Sequence, residues 1–322
     1  VGAMFLALIA HPLLMEVWSH IIDPLWFSQG RLRLEESPNF LGNYAAVMAC
    51  IGVLAIFFGL WHLIKSSYRW YYWLFSIFGL FVFVAYFFML LASDSRSSWI
   101  AFLVAITITL IVLISKFLNF KYFENKLYSF SLIAIVLFII IVVLLPFKNR
   151  IIERFAEEYT TIKAIATLQT EDIEIKSWGK RWLMWSNGAK MIKARPFSGW
   201  GPGFISNARS TSPYEEIKHG TQYHNTYVHM AVSMGLAWII IWIALHIMII
   251  ILATRTVDKN NIDTFITMSG ICILLVVLVA GIAEYRLHSY KGFAMYLFAT
   301  SLLMGKALSK YNTAFASQNT SD

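Results

Sequence analysis

Long apolar runs, broken by short polar stretches, organise this chain. Runs of roughly 41–64, 71–92, 98–115, 128–147, 226–252, 264–284 and 289–305 reach or approach the ~20 apolar residues that a helix needs to cross a hydrocarbon core. Stretch 1–15 reads as the end of a further run. In lipid every backbone N–H and C=O must be satisfied within the segment, so such runs predict helices. The expected fold is an all-α polytopic membrane protein, a helical bundle of about 7–8 transmembrane helices. One large loop would carry amphipathic helices. The pattern divides the chain into N-terminal transmembrane helices (1–147), the large loop (148–225), C-terminal transmembrane helices (226–306) and a polar tail (307–322) expected to be disordered. Because Val1 opens directly inside an apolar run, further spans are expected ahead of it.

Basic residues orient the bundle. Lys65 and Arg69, then Lys116, Lys121 and Lys126, then Arg255 and Lys259, then Lys306 and Lys310 fall on one side by strict alternation. The excess of Lys and Arg in short loops marks the cytoplasmic side. Segments 16–38, 93–97, 148–225 and 285–288 then share the opposite face. The large loop is itself basic, with twelve Lys/Arg against eight Asp/Glu, but loops longer than about 60 residues escape that rule.

Composition agrees with a membrane protein and excludes a soluble domain: 58% of residues are hydrophobic, 16% aromatic and 14% charged, against about 25% charged in average usage. The net charge of +8 reads first as ordinary Lys/Arg flanking the spans, and otherwise as attraction to anionic membrane lipids or an anionic substrate. Cys50 and Cys272 both lie in apolar runs and say nothing of the redox compartment.

In the large loop, Ile151, Ile152, Phe155 and Tyr159 recur at helical spacing and predict a surface helix lying on the membrane. Over 178–195, Trp178, Trp182, Trp185, Ala189 and Ile192 form one helical stripe, and Pro196 ends that helix. "PFSGWGPGF" follows. Its alternating glycines, Gly201 among them, read either as an ordinary loop or as a turn whose N–H groups meet an anion.

Several residues could carry chemistry. Asp94 and Arg96 sit in a tight turn, with Ser93, Ser95, Ser97 and Ser98 around them, and read as a surface pair or as a polar pocket at the membrane boundary. Arg181 lies among tryptophans, either snorkelling from an interfacial helix or clamping a phosphate. His219, His224 and His229 are five apart, a spacing that leaves them about 140° out of alignment on a helix and argues against zinc. His224 begins a segment, next to Asn225, the better helix cap. A histidine there suits a general base, since its ordinary pKa lies near 6.5. Glu284 ends an apolar run and is either a site acid or the local partner of Arg286 or His288. No P-loop, dinucleotide motif, nucleophile elbow, metal motif or nucleic-acid module occurs.

Three stretches, "SDSRSSWIAF", "RWLMWSNGAKMIKARPFSGWGPGF" and "HNTYVHMAVSMGLAW", resemble the O-antigen ligase superfamily in order, spacing and topology, and "RLRLEESPNFLGNYAA" is similar to that family's entry into an earlier span. The superfamily includes O-antigen polymerases and protein O-oligosaccharyltransferases. The resemblance implies a membrane glycosyltransferase in the bacterial inner (cytoplasmic) membrane with its active site facing the periplasm. It implies metal-independent, inverting transfer of a glycan from undecaprenyl pyrophosphate, without a cofactor, to a lipid A-core sugar or another glycan acceptor. Its matched catalytic positions are Arg96, Arg181 and His224. Arg31, Arg33, Asn225, Gly201, Glu284 and Arg286 are the expected substrate-binding residues on the same face. A polymerase, a protein glycosyltransferase and a transporter of the lipid-linked glycan are the alternatives. A transporter would place charges near the bilayer midplane, and runs 71–92 and 98–115 hold none.

Overall fold

A computed structural model describes residues 38–65, 70–118, 148–156, 159–167, 177–205, 210, 212, 215–218, 222–255, 257, 262–285, 287 and 289–319. The described residues are helical, with no strand among them. Helices α1 (Pro38–Lys65), α2 (Trp70–Ala92) and α3 (Arg96–Leu118) precede the loop helices α4 (Lys148–Ala156), α5 (Tyr159–Ala166), α6 (Ser177–Ala194) and α7 (Glu215–Lys218). Helices α8 (Thr226–Met234), α9 (Leu236–Thr254), α10 (Ile262–Ala280) and α11 (Tyr290–Asn319) follow. Among the described residues, α1, α2, α3, α9 and α10 are long and apolar enough to cross a membrane. The protein is therefore an all-α, multi-pass membrane protein. The predicted runs 1–15 and 128–147 lie outside the described residues.

Local chemistry sets the helix ends. Pro38 opens α1, where a missing N–H removes no intrahelical bond. Helix α6 stops at Ala194, two residues before Pro196, as the sequence predicts. Two expectations are corrected. The run 226–252 is not one span: Gly235, at φ +88, divides it into α8 and α9. A Cβ at Gly235 would lie 2.1 Å from the Phe197 carbonyl oxygen, so close backbone approach as well as φ demands glycine. The tail expected to be disordered instead continues α11 as far as Asn319. Beyond Gly305 it contains no Gly or Pro to stop a helix, and Ala307, Leu308, Ala314 and Ala316 favour one.

Helix α1 is the most buried of the membrane-length helices and α9 the least. α1 packs along α2, and α10 packs against α3, α1 and α11. Their shared core includes Phe83, Phe87, Phe102, Met268, Ile271 and Leu274. Cys272 sits within it, its Sγ 3.1 Å from Thr109 Oγ1. α9 instead exposes Trp238, Ile240, Ile241, Ile247 and Ile251, the apolar surface a lipid-facing helix presents.

The close approach of α1 and α2 depends on Gly52, where a Cβ would lie 2.6 Å from the Phe83 backbone nitrogen. Backbone cannot yield as a side-chain tip can. Gly52→Val should therefore destabilise the bundle by about 1–3 kcal/mol, read as a lower thermal midpoint of the detergent-solubilised protein. An unchanged midpoint would mean that the two helices are not held this closely.

Candidate active site

The functional candidates gather at the end of the bundle where α1 and α3 begin and α10 finishes. After Ala280 the chain turns, with Gly281 N–H donating to Val277 O and Glu284 N–H to Ala280 O. Thr226 pins this turn: its N–H donates to Gly281 O at 2.7 Å and its Oγ1 to Glu284 O at 3.1 Å. The start of α8 and the end of α10 are thus locked together, with His224 and Glu284 side by side. Tyr227 adds a bond from its hydroxyl to Leu278 O at 2.8 Å. Burial pushes that phenol up to about 12, so it stays a donor through the physiological range.

Glu284 is the meeting point. Its Oε1 accepts from Arg181 at 2.8 Å and from Asn39 Nδ2 at 2.7 Å, and its Oε2 lies 3.0 Å from His224 Nδ1. The carboxylate is only 13% exposed and the Arg181 side chain 17%. Arg181 is therefore not snorkelling. It is drawn inward to an acid 103 residues away in sequence, with its guanidinium 5.9 Å from the Trp178 ring centroid. One guanidinium carries five donors, and a single nitrogen contacts Glu284. His224 is 37% exposed on its side chain, and its Nε2 makes no hydrogen bond among the described residues.

The same acid reaches a second element through Asn39. Asn39 Oδ1 accepts from Ser95 Oγ at 3.0 Å. Ser98 Oγ lies 2.8 Å from Ser95 Oγ and 2.6 Å from Asn43 Oδ1. Ser93, Ser95 and Ser98 are all buried, as expected of a polar pocket at the run ends. Asp94 is buried with them, and Arg96, partly exposed, opens α3 immediately after Ser95. Asp94 (φ +52) and His224 (φ +46) are the positive-φ residues other than glycine among the described residues. Strained backbone of this kind collects at functional sites, and Asp and His tolerate it better than most residues.

Asn225 has a structural task. It is the N-cap of α8, its Oδ1 accepting from Tyr227 and Val228 N–H, so that oxygen is not available to a substrate. The glycine loop is similarly occupied: Trp200 N–H donates to Val232 O and Gly201 N–H to Ser233 O. These bonds satisfy the end of α8 and leave the Gly201 N–H turned away from an anion. On α6 the buried face is rotated from the predicted stripe, with Leu183, Met184 and Asn187 inward and Ala189 exposed. The tryptophans take its margin, where an indole can use both its apolar body and its N–H. Trp185 Nε1 accordingly donates to Tyr223 O, and Tyr223 Oη to Asn187 Oδ1. Helix α6 is thereby fixed to the segment that carries His224. Arg31, Arg33, Arg286, His219 and His288 lie outside the described residues.

Among known families, the model described as O-antigen ligase matches residues 81–243, half of the chain. The chain belongs to the O-antigen ligase family. No curated protein matches it. The O-antigen ligase match includes Arg96, Arg181 and His224, and ends before Glu284, the acid on which two of those three converge. Glu284, a candidate from the sequence, and Asn39, which geometry adds beside it, both lie outside the stretch that identifies the family.

Asn225→Ala removes the cap in front of which His224 is held. It should cost about 1 kcal/mol and raise amide exchange in the first turn of α8, measured by hydrogen exchange with mass spectrometry. Unchanged protection of Tyr227 and Val228 would contradict the cap.

Proposed function

We propose that the protein transfers a glycan from undecaprenyl pyrophosphate to an acceptor hydroxyl, a sugar of the lipid A-core, on the periplasmic face of the bacterial inner membrane. Family membership supports ligase- or polymerase-type chemistry on lipid-linked glycans in a membrane. The observation that carries the finer reading is the Glu284–His224 contact of 3.0 Å on Nδ1 of a partly exposed imidazole, with the Arg181 guanidinium on the same carboxylate.

In this reading Nε2 is the base. A carboxylate on Nδ1–H fixes the tautomer and stabilises the imidazolium that forms, the logic of a base held by an orienting acid. The acceptor oxygen attacks the anomeric carbon of the donor sugar while its proton passes to Nε2. The bond from that carbon to the pyrophosphate oxygen breaks, and the pyrophosphate leaves with the electron pair. Attack opposite the leaving group inverts the anomeric configuration. Arg181, prealigned by Glu284, and Arg96, at the head of α3 beyond the serine turn, supply fixed positive charge for the pyrophosphate. Such preorganised charge acts most strongly where water is scarce, and Arg181 is largely buried.

His224→Ala should lower transfer by about 10²–10⁴-fold while the protein still accumulates in the membrane. The check is a lipopolysaccharide gel from cells lacking the gene, complemented with wild type or variant. Bare core together with carrier-linked full-length glycan is the expected pattern in the deletion and with the variant. Core capped by a single repeat would identify a polymerase. An unchanged ladder in the deletion would reject both readings in favour of protein glycosylation or transport.

A further inference from the structure

Asn39 stands outside the residues that the proposed chemistry uses, yet it touches the acid at the centre of the site. It lies one residue into α1, 245 residues from Glu284 in sequence. Its two amide atoms face opposite requirements. Glu284 Oε1, 2.7 Å away, can only accept, so the atom facing it must be the NH₂ group. Ser95 Oγ, 3.0 Å from the other atom, donates to the amide oxygen. Neither an aspartate, which lacks the donor when ionised, nor a leucine, which lacks both, can meet these two demands.

We propose that Asn39 is a positioning residue. Its NH₂ group holds Glu284 Oε1 so that Oε2 is presented to His224, and its carbonyl ties that carboxylate to the serine turn in front of Arg96. The inference rests on the reading of His224 as base. The amide couples two functional elements that share no covalent neighbourhood: the Glu284–His224 pair, and the turn from which Arg96 begins α3. With Arg181 on the same oxygen, Asn39 keeps the carboxylate from rotating toward the cation alone. In its absence the Arg181 pair remains, but the carboxylate loses the second donor that fixes its plane.

The test uses the full chain in detergent, with undecaprenyl-pyrophosphate-linked glycan extracted from the source cells as donor, lipid A-core as acceptor, and acceptor-dependent release of undecaprenyl pyrophosphate as readout. Asn39→Leu should lower kcat by about ten- to a hundredfold with KM little changed, the size expected when a reacting group is misplaced by about 1 Å. Asn39→Asp separates positioning from packing. Two carboxyls this close share one proton, and the introduced carboxyl, when protonated, would donate to Glu284 as the amide does. The ratio of Asn39→Asp to wild-type activity should therefore be near one at the acid end of the profile. It should fall tenfold or more as pH rises and the shared proton is lost. A ratio independent of pH, or wild-type kcat in Asn39→Leu, would overturn the proposal. If Asn39→Leu fails to accumulate, the Asn39→Asp ratio decides alone, since a difference in the amount of folded protein scales the ratio equally at every pH and leaves its pH dependence intact. His224→Ala run beside them separates the two claims. Full transfer by His224→Ala removes the base reading and this inference with it. An inactive His224→Ala with a wild-type Asn39→Leu removes only the positioning role.

Discussion

A largely buried carboxylate that accepts from three separate parts of the chain is the constraint on which the functional end of this protein depends. Glu284 gathers Arg181 from the large loop, His224 from the approach to α8, and Asn39 from the start of α1. A charge taken out of water is costly unless paired and hydrogen-bonded, and here each contact is to a donor. The cost of burying the acid is also what fixes the geometry: removing any partner leaves the others facing an imperfectly satisfied charge. Stability of the site and orientation of the imidazole are two results of one arrangement.

The rest of the fold serves that meeting point. The polar end of the bundle is tied down by backbone bonds rather than by loop packing alone. Thr226 staples α8 to the turn after α10, and the glycine loop caps the far end of α8 through Val232 and Ser233. Trp185 and Asn187 hold α6 to Tyr223. Below them α1, α2, α3 and α10 share an apolar core of ordinary close packing. A rigid membrane bundle thus supports a small polar site at one of its ends, where a lipid-linked headgroup would meet it.

Much of the fold was legible in the sequence because apolar length is a strong signal for a membrane span. The spans at 41–64, 71–92 and 98–115 correspond to α1, α2 and α3, and Pro196 stopped α6 where its ring must. The break at Gly235 was not legible, because its apolar neighbours continue on both sides; what demands it is the Phe197 carbonyl, distant in sequence and adjacent in space. The tail hid a helix because polar composition masks propensity when no apolar stripe accompanies it. At the site, Glu284 could be flagged as an acid at the end of a run, but its partners could not. The contacts it makes among the described residues span 60, 103 and 245 residues, beyond the reach of any local pattern. Asn39 lies in the stretch "RLRLEESPNFLGNYAA" but does not stand out there, since an asparagine near a helix start usually reads as a cap.

The most direct test of the account is a double-mutant cycle on transfer rate with His224→Ala, Glu284→Gln and the pair. If Glu284 acts through His224, their losses are not additive, as for residues that work as one unit. The double variant should then lose less than the product of the two single losses, the remainder being the part of Glu284 that acts through Arg181. Losses that multiply in the double variant would mean that the acid and the histidine act independently, and would contradict the site as described.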